Sequence, residues 1–195
     1  MDVESAKPAE VVANKPARSW IILVLRLLAL CGTVSATLVM ALNKETKTFV
    51  VGVVGTTPIK ASIQAKFQHT PAFVFFVIAN SVGSLHNLLM LAVDLFGYKY
   101  DFKGFRLLTT TLLDMGTIAL LSTASGAAAS ISELGKNGNT HARWNKICDR
   151  FGTYCDHGGG ALIAAFLGIV FLMALNVLSI IALHKKSKYQ SAVAA

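Results

Sequence analysis

The chain has 195 residues, of which 54% are hydrophobic and 14% are charged, and its formal net charge is +8. A soluble domain carries a larger share of charged residues on its surface. The composition therefore excludes an ordinary soluble protein and predicts an integral membrane protein.

Four stretches are long and apolar enough to cross a bilayer, which takes about 20 residues of helix. They comprise residues 20–42, 71–96, 107–131 and 160–183. The first follows a polar tail and is longer than the apolar part of a signal peptide, so we expect it to span the membrane. The expected fold is an all-α membrane protein, a four-transmembrane-helix bundle with short loops.

Lysine and arginine positions predict which side of the membrane each segment faces. Nine of these residues lie in the tails 1–19 and 184–195 and the middle loop 97–106, and eight lie in the longer loops 43–70 and 132–159. This bias predicts cytosolic termini and two outer loops. Because the basic residues are dispersed around the spans, they indicate orientation and attraction to lipids rather than nucleic-acid binding.

Two of the charged residues inside predicted spans lie in strongly apolar surroundings. Arg26 is in the stretch IILVLRLLAL of the first span, and Asp114 is in an equally apolar part of the third. A lone charge at the centre of a membrane helix costs roughly 2.5 to 3.5 kcal/mol, so such residues usually have partners. Counted from the cytosolic ends at about 1.5 Å per residue, both lie at nearly the same depth. We predict an ion pair, against the alternative that Arg26 extends to the lipid headgroups.

The second span carries a polar stripe that helical spacing places on or near one face. A histidine, His86, lies beside this face. We expect the stripe to face the bundle interior, where its role is either hydrogen bonding between helices or a path for protons or ions. Its members are Asn80, Ser84, Asn87 and Asp94.

Small residues suggest close helix contacts in the last two spans. The third span contains STASGAAAS over residues 122–130, and the fourth has Gly160, Ala164 and Gly168 at four-residue spacing. The face with these three residues is predicted to pack either inside the bundle or between protomers.

The second outer loop contains two cysteines, Cys148 and Cys155. Two thiols so close together in a loop outside the cell predict a disulfide, which would stabilise the fold by on the order of 2 to 3 kcal/mol. The alternative is a metal site with nearby side chains, but the spacing matches no standard zinc pattern. Those side chains are His141, Asp156 and His157.

Catalytic motifs are absent or weak. The stretch DHGGG at residues 156–160 imitates an esterase oxyanion motif, but no G-x-S-x-G motif supplies a nucleophile. We interpret it as a flexible lead into the fourth helix. The sequence contains no phosphate-binding loop or dinucleotide motif, so we expect no enzyme activity, no cofactor and no metal.

This combination resembles the plant Casparian strip membrane domain proteins and their CASP-like relatives, which are distantly similar to animal MARVEL proteins. The resemblance rests on four spans, Arg26, Asp114 and an outer loop with a tryptophan, two cysteines and an aromatic residue between them. In that loop the residues are Trp144, Cys148, Phe151 and Cys155. The first outer loop lacks the aromatic-rich segment of the true Casparian strip proteins, so the likeness is to a CASP-like member.

The resemblance implies a plasma-membrane scaffold that associates with itself and related members and organises a membrane domain linked to cell-wall modification. It also implies contact with membrane lipids and with secreted cell-wall enzymes. A small-solute or ion channel or transporter that uses the intramembrane polar residues is the alternative. The scaffold is favoured because a paired arginine and aspartate would block a pore, and because no broken helices mark a transport site.

Overall fold

Four long helices and one β-hairpin make up the computed structural model, which describes residues 15–96 and 105–194. The hairpin lies between the first two helices. In chain order the helices are α1 (Lys15–Leu42), α2 (Pro71–Phe96), α3 (Phe105–Asn137) and α4 (Gly152–Ala194). The predicted tail up to residue 14 and most of the predicted middle loop, residues 97–104, lie outside the described residues.

Each helix contains a segment long and apolar enough to cross a membrane. These segments are Trp20–Leu42, Pro71–Phe96, Phe105–Asn137 and Gly152–Tyr189. Two of these spans have the bounds expected from sequence, whereas α3 and α4 extend beyond the predicted spans at both ends. The arrangement confirms the prediction of a four-helix membrane bundle.

The helices form a ring in which each packs against its neighbours in sequence and α4 closes the ring against α1. Helices α1 and α3 therefore lie on one diagonal, and α2 and α4 on the other. The connections alternate between the two ends of the bundle. We call the end with the hairpin and the α3–α4 connection the hairpin end.

Helices α1 and α4 pack with their backbones in close contact at Gly32. A Cβ atom added at Gly32 would lie 2.9 Å from the carbonyl oxygen of Ala164 and 3.0 Å from the Cα of Gly168. Gly168 in turn faces Ala29 and Thr33 of α1. Small residues on both helices thus let the two backbones approach each other directly.

The β-hairpin lies in segment 43–70, which was predicted to be a loop. Strand β1 (Lys44–Val54) pairs antiparallel with β2 (Thr57–Lys66), and the ladder has one bulge between Val50 and Gly52. Gly55 has a φ of 63°, a left-handed conformation that glycine adopts without steric cost in a tight turn. A Val-rich segment followed by a two-residue turn, Gly55 and Thr56, was the sequence signal for this element.

The DHGGG stretch is helical, so the prediction of a flexible segment there is wrong. Helix α4 begins at Gly152 and runs through all three glycines. Tertiary contacts offset their poor helix propensity: the Asn43 amide donates to the Tyr154 carbonyl oxygen at 2.7 Å, and Gly158 packs near Asn43.

Candidate functional site

A buried ion pair joins the diagonal helices α1 and α3. Nη1 of Arg26 donates to Oδ1 of Asp114 at 3.2 Å, and Nη2 donates to Oδ2 at 3.0 Å. The Arg26 side chain is 2% exposed and that of Asp114 is 0% exposed. The planar guanidinium therefore holds the carboxylate with two parallel hydrogen bonds inside the bundle.

Arg26 also contacts Asp94, near the end of α2. Its Nε atom lies 3.1 Å from Oδ2 of Asp94, but the angles are not those of a hydrogen bond. The other oxygen of Asp94 accepts a hydrogen bond from Nη2 of Arg106 at 3.3 Å. Positive and negative side chains thus alternate along one chain of contacts. It runs from Asp114 on α3 to Arg26 on α1, then to Asp94 on α2 and Arg106 at the start of α3.

His86 on α2 completes this group of charged residues, which we call the charge network. Its Nε2 atom lies 2.7 Å from Oδ1 of Asp114. Because an ionised carboxylate can only accept, Nε2 is the protonated ring nitrogen of this contact. From sequence, His86 was predicted to lie beside the polar stripe, and its contact with Asp114 was not predicted. The signal was available, since antiparallel neighbours α2 and α3 bring these two positions to one depth.

The polar stripe of α2 has three kinds of environment. Asn80 and Asn87 are fully buried, whereas Ser84 is partly buried and donates to the Asn80 carbonyl oxygen. The Asn80 amide donates to the Phe76 carbonyl oxygen in its own helix. The Asn87 side chain makes no hydrogen bond among the described residues. Of the predicted stripe, only Asp94 joins the charge network.

Another polar contact joins α3 and α4 and was not predicted. Asn176 donates from Nδ2 to the Thr111 carbonyl oxygen at 3.0 Å, and both residues are buried. The Thr111 hydroxyl donates to the Leu107 carbonyl oxygen one turn earlier. A buried asparagine therefore links the two helices on the side of the bundle towards the tails.

The predicted cysteine pair lies at the hairpin end, where Cys148 and Cys155 form a disulfide with Cα atoms 5.7 Å apart. Phe151, between them, is buried and meets Phe49 of β1 edge to face at 6.2 Å. Trp144 is instead 57% exposed and lies in the turn that precedes this segment. The described residues form no group of three or more potential metal ligands, and this includes His141, Asp156 and His157.

Glu45 attaches the base of the hairpin to α4. Its Oε2 atom accepts a hydrogen bond from the Tyr154 backbone N–H at 2.8 Å. This hydrogen bond lowers the pKa of the Glu45 carboxyl below its ordinary value, and Lys47 nearby acts in the same direction. The hairpin thus packs on the disulfide segment through Phe49, whose ring meets Phe151 and the Arg150 guanidinium, and through this hydrogen bond of Glu45.

The face with Gly160, Ala164 and Gly168 divides between two environments. Gly168 is buried and Ala164 partly buried against α1, whereas Gly160 is exposed and an added Cβ there would meet no neighbour. The part of this face that makes close contact is therefore inside the bundle.

A second set of small residues is exposed on the outer surface of α3. A Cβ added at Gly116 or Gly126 would meet nothing within 4 Å. We call this surface the α3 small-residue stripe. Its exposed members are Gly116, Ala119, Thr123, Gly126, Ala127 and Ser130.

Together these features define a class: a four-helix membrane protein with a buried arginine–aspartate pair across the bundle and a disulfide segment beside a hairpin. The Casparian strip membrane protein domain matches residues 15–171. The chain therefore belongs to the Casparian strip membrane protein domain family, among its CASP-like members.

Curated relatives cover most of the chain. CASP-like protein 1B2 of Populus trichocarpa is 61% identical over 176 residues, which are 90% of this chain and 88% of the relative. CASP-like protein 1B1 of Arabidopsis thaliana is 59% identical and covers 89% of this chain and 88% of its own. CASP-like protein 1B2 of Arabidopsis thaliana is 54% identical, with coverages of 97% and 96%. No solved structure matches the chain.

Proposed function

We propose that this protein is a non-enzymatic scaffold of the plasma membrane that associates laterally with itself and with related family members. The observation that carries the proposal is the α3 small-residue stripe. Lipid tails are as apolar as leucine, so membrane helices gain little from hydrophobic burial and associate through close packing of small residues. The comparable face of α4 is occupied by α1, which leaves α3 as the surface for a neighbour.

The charge network supports a scaffold over the alternative of a channel or transporter. Arg26 and Asp114 cross the bundle on its diagonal and neutralise one another with two hydrogen bonds. Such a pair occludes the interior at its level. A transport path would instead be expected to run past an interrupted helix, whereas each of the four described helices is continuous.

In this proposal both tails are cytosolic and the hairpin end faces outside, as the lysine and arginine bias indicates. The hairpin and the disulfide segment would then be exposed to the cell wall, and disulfides persist in that oxidising environment. The proposed partners are other family members, membrane lipids and secreted cell-wall enzymes, whose local action the scaffold would organise.

The test is the molecular mass of the protein in mild detergent, measured by light scattering with the detergent contribution subtracted. Wild type is expected to run as assemblies. Gly126→Leu places a bulky side chain on the open surface of α3, so it should fold normally and shift the mass towards one copy.

The matched control is Ser35→Leu, which adds a similar side chain at an exposed position of α1. It should leave the assembly unchanged. A monomeric wild type would contradict the scaffold, and equal assembly of wild type and Gly126→Leu would remove the α3 small-residue stripe from the interface.

A further inference from the structure

The hairpin presents two open edges. Strands β1 and β2 pair only with each other, and within the described chain no backbone hydrogen bond outside this ladder involves residues 44–66. Alternate N–H and C=O groups along both outer edges therefore lack backbone partners. A two-stranded hairpin is marginally stable by itself, and an open edge is a template for a further strand.

The far part of the hairpin is also apolar and exposed. The stretch FVVGVVGTTPI, residues 49–59, carries no charge. Only Phe49 of this stretch packs against the disulfide segment. Five apolar side chains along the hairpin are 47 to 63% exposed, namely Val50, Val51, Val53, Ile59 and Ile63. Soluble proteins usually block such edges with very short strands, charges, prolines or bulges. In this stretch the hairpin has Pro58 and one bulge but no charge.

We infer that the hairpins of neighbouring copies pair edge to edge, β2 of one copy with β1 of the next, into a continuous antiparallel sheet at the hairpin end. The inference rests on the proposed lateral association and names a second contact for it. The partner of each open edge is a second copy of this chain.

The shared orientation of the copies in the membrane favours pairing of β2 with β1 over pairing of β1 with β1. The proposed arrangement requires the strands to run along the membrane normal. Neighbouring copies in one membrane share their inside-to-outside direction, so two such β1 strands placed side by side would run parallel. The β2 edge of one copy and the β1 edge of the next run antiparallel, as they do within the hairpin. Because such a contact joins two different edges, it repeats from copy to copy.

Depth in the membrane also sets the register. Copies at one depth place β1 and β2 of neighbours at the heights they have inside one hairpin. Lys60 is then level with Val50, and Lys47 with Ile63, so these lysines do not face like charges. Only Lys44 and Lys66 at the base oppose each other, which confines the pairing to residues 46–54 and 57–64.

Cysteine crosslinking tests this arrangement. Thr48 and Ser62 are exposed and form a cross-strand pair in the hairpin. Two differently tagged variants, Thr48→Cys and Ser62→Cys, would be made in a Cys31→Ala background and oxidised in membranes, singly and co-expressed. A mixed dimer linked between the two tags is expected in the co-expressed sample, with little dimer in either variant alone.

The outcomes separate this inference from the scaffold proposal. If wild type assembles in detergent but the co-expressed variants yield no mixed dimer, the hairpin pairing is wrong and the scaffold stands. Equal crosslinking of Thr48→Cys alone would also overturn the β2-to-β1 arrangement. If wild type is monomeric and the co-expressed variants yield no mixed dimer, both proposals fail together.

Discussion

At the scale of single residues, the charge network accounts for an arginine among leucines in the first helix. Arg26 has two acidic partners on two different helices, Asp114 on α3 and Asp94 on α2. Its long side chain reaches across the diagonal of the bundle, where the backbones of α1 and α3 are too far apart for close packing. The contacts of Arg26 therefore join α1, α2 and α3 at one level of the bundle.

A double-mutant cycle tests that role. Removing either partner leaves the other charge buried, a loss that can reach roughly 3 to 5 kcal/mol. Arg26→Leu and Asp114→Leu should each lower the yield of folded protein, measured by fluorescence-detected size exclusion. The double change to leucine should recover much of that yield. Independent, additive losses would contradict the pairing.

The pair itself could be predicted from depth along two helices, and the same signal was available for His86, but the contact with Asp94 could not be predicted. Helical spacing places Asp94 on the polar stripe, yet only the tertiary arrangement shows that it lies within reach of Arg26. His86 was visible beside that stripe without a partner. Sequence fixes depth well, whereas the rotation of each helix depends on packing with its neighbours.

At the scale of helices and strands, the closeness of α1 and α4 depends on Gly32. A side chain there would collide with the α4 backbone, which cannot move aside as a flexible side chain can. Gly32→Leu should destabilise the bundle by about 3 kcal/mol or more, seen as a lower midpoint of thermal unfolding. Ser35→Leu, at an exposed position of the same helix, is the matched control, and its midpoint should change little.

The base of the hairpin should depend on pH through Glu45. Since folding lowers the pKa of this carboxyl, its contribution is present above the unfolded pKa and is lost as pH falls through the folded pKa. Acidification below the ordinary carboxyl range should therefore speed hydrogen exchange at the Tyr154 amide, after correction for the intrinsic rate. In Glu45→Gln that pH dependence should disappear. An identical dependence in both proteins would exclude Glu45 as its source.

The number of apolar segments and the bounds of the first two were predictable because membrane helices are marked by length and hydropathy. The β-hairpin and the helical glycines of α4 were not predicted. Valines at residues 50, 51, 53 and 54 were a strand signal within a segment treated as a loop. Glycines at residues 158–160 contradict helix propensity, and the contacts that offset them come from a distant residue, Asn43.

At the scale of the whole molecule, the proposed orientation places both tails in the cytosol. Epitope tags on either terminus should then be protected from protease added to intact cells. A tag inserted at the hairpin turn, after Gly55, should be cleaved in the same cells. Cleavage of a terminal tag without permeabilisation would contradict the orientation.

The whole bundle has two surfaces suited to lateral contact, the α3 small-residue stripe within the membrane and the hairpin edges outside it. They lie at different heights, and the two proposals together require neighbouring copies to engage both. Two weak contacts in one membrane plane reinforce each other, because the first holds the second at high effective concentration. Loss of either should shrink assemblies, and loss of both should leave single copies.

Subunit counting in membranes tests lateral self-association most directly. Protein with one fluorophore per chain would be reconstituted at low density in liposomes, and bleaching steps would be counted for each diffusing spot. We predict several steps per spot for wild type and fewer steps for Gly126→Leu, with Ser35→Leu matching wild type. Single steps for wild type at every density would contradict the scaffold.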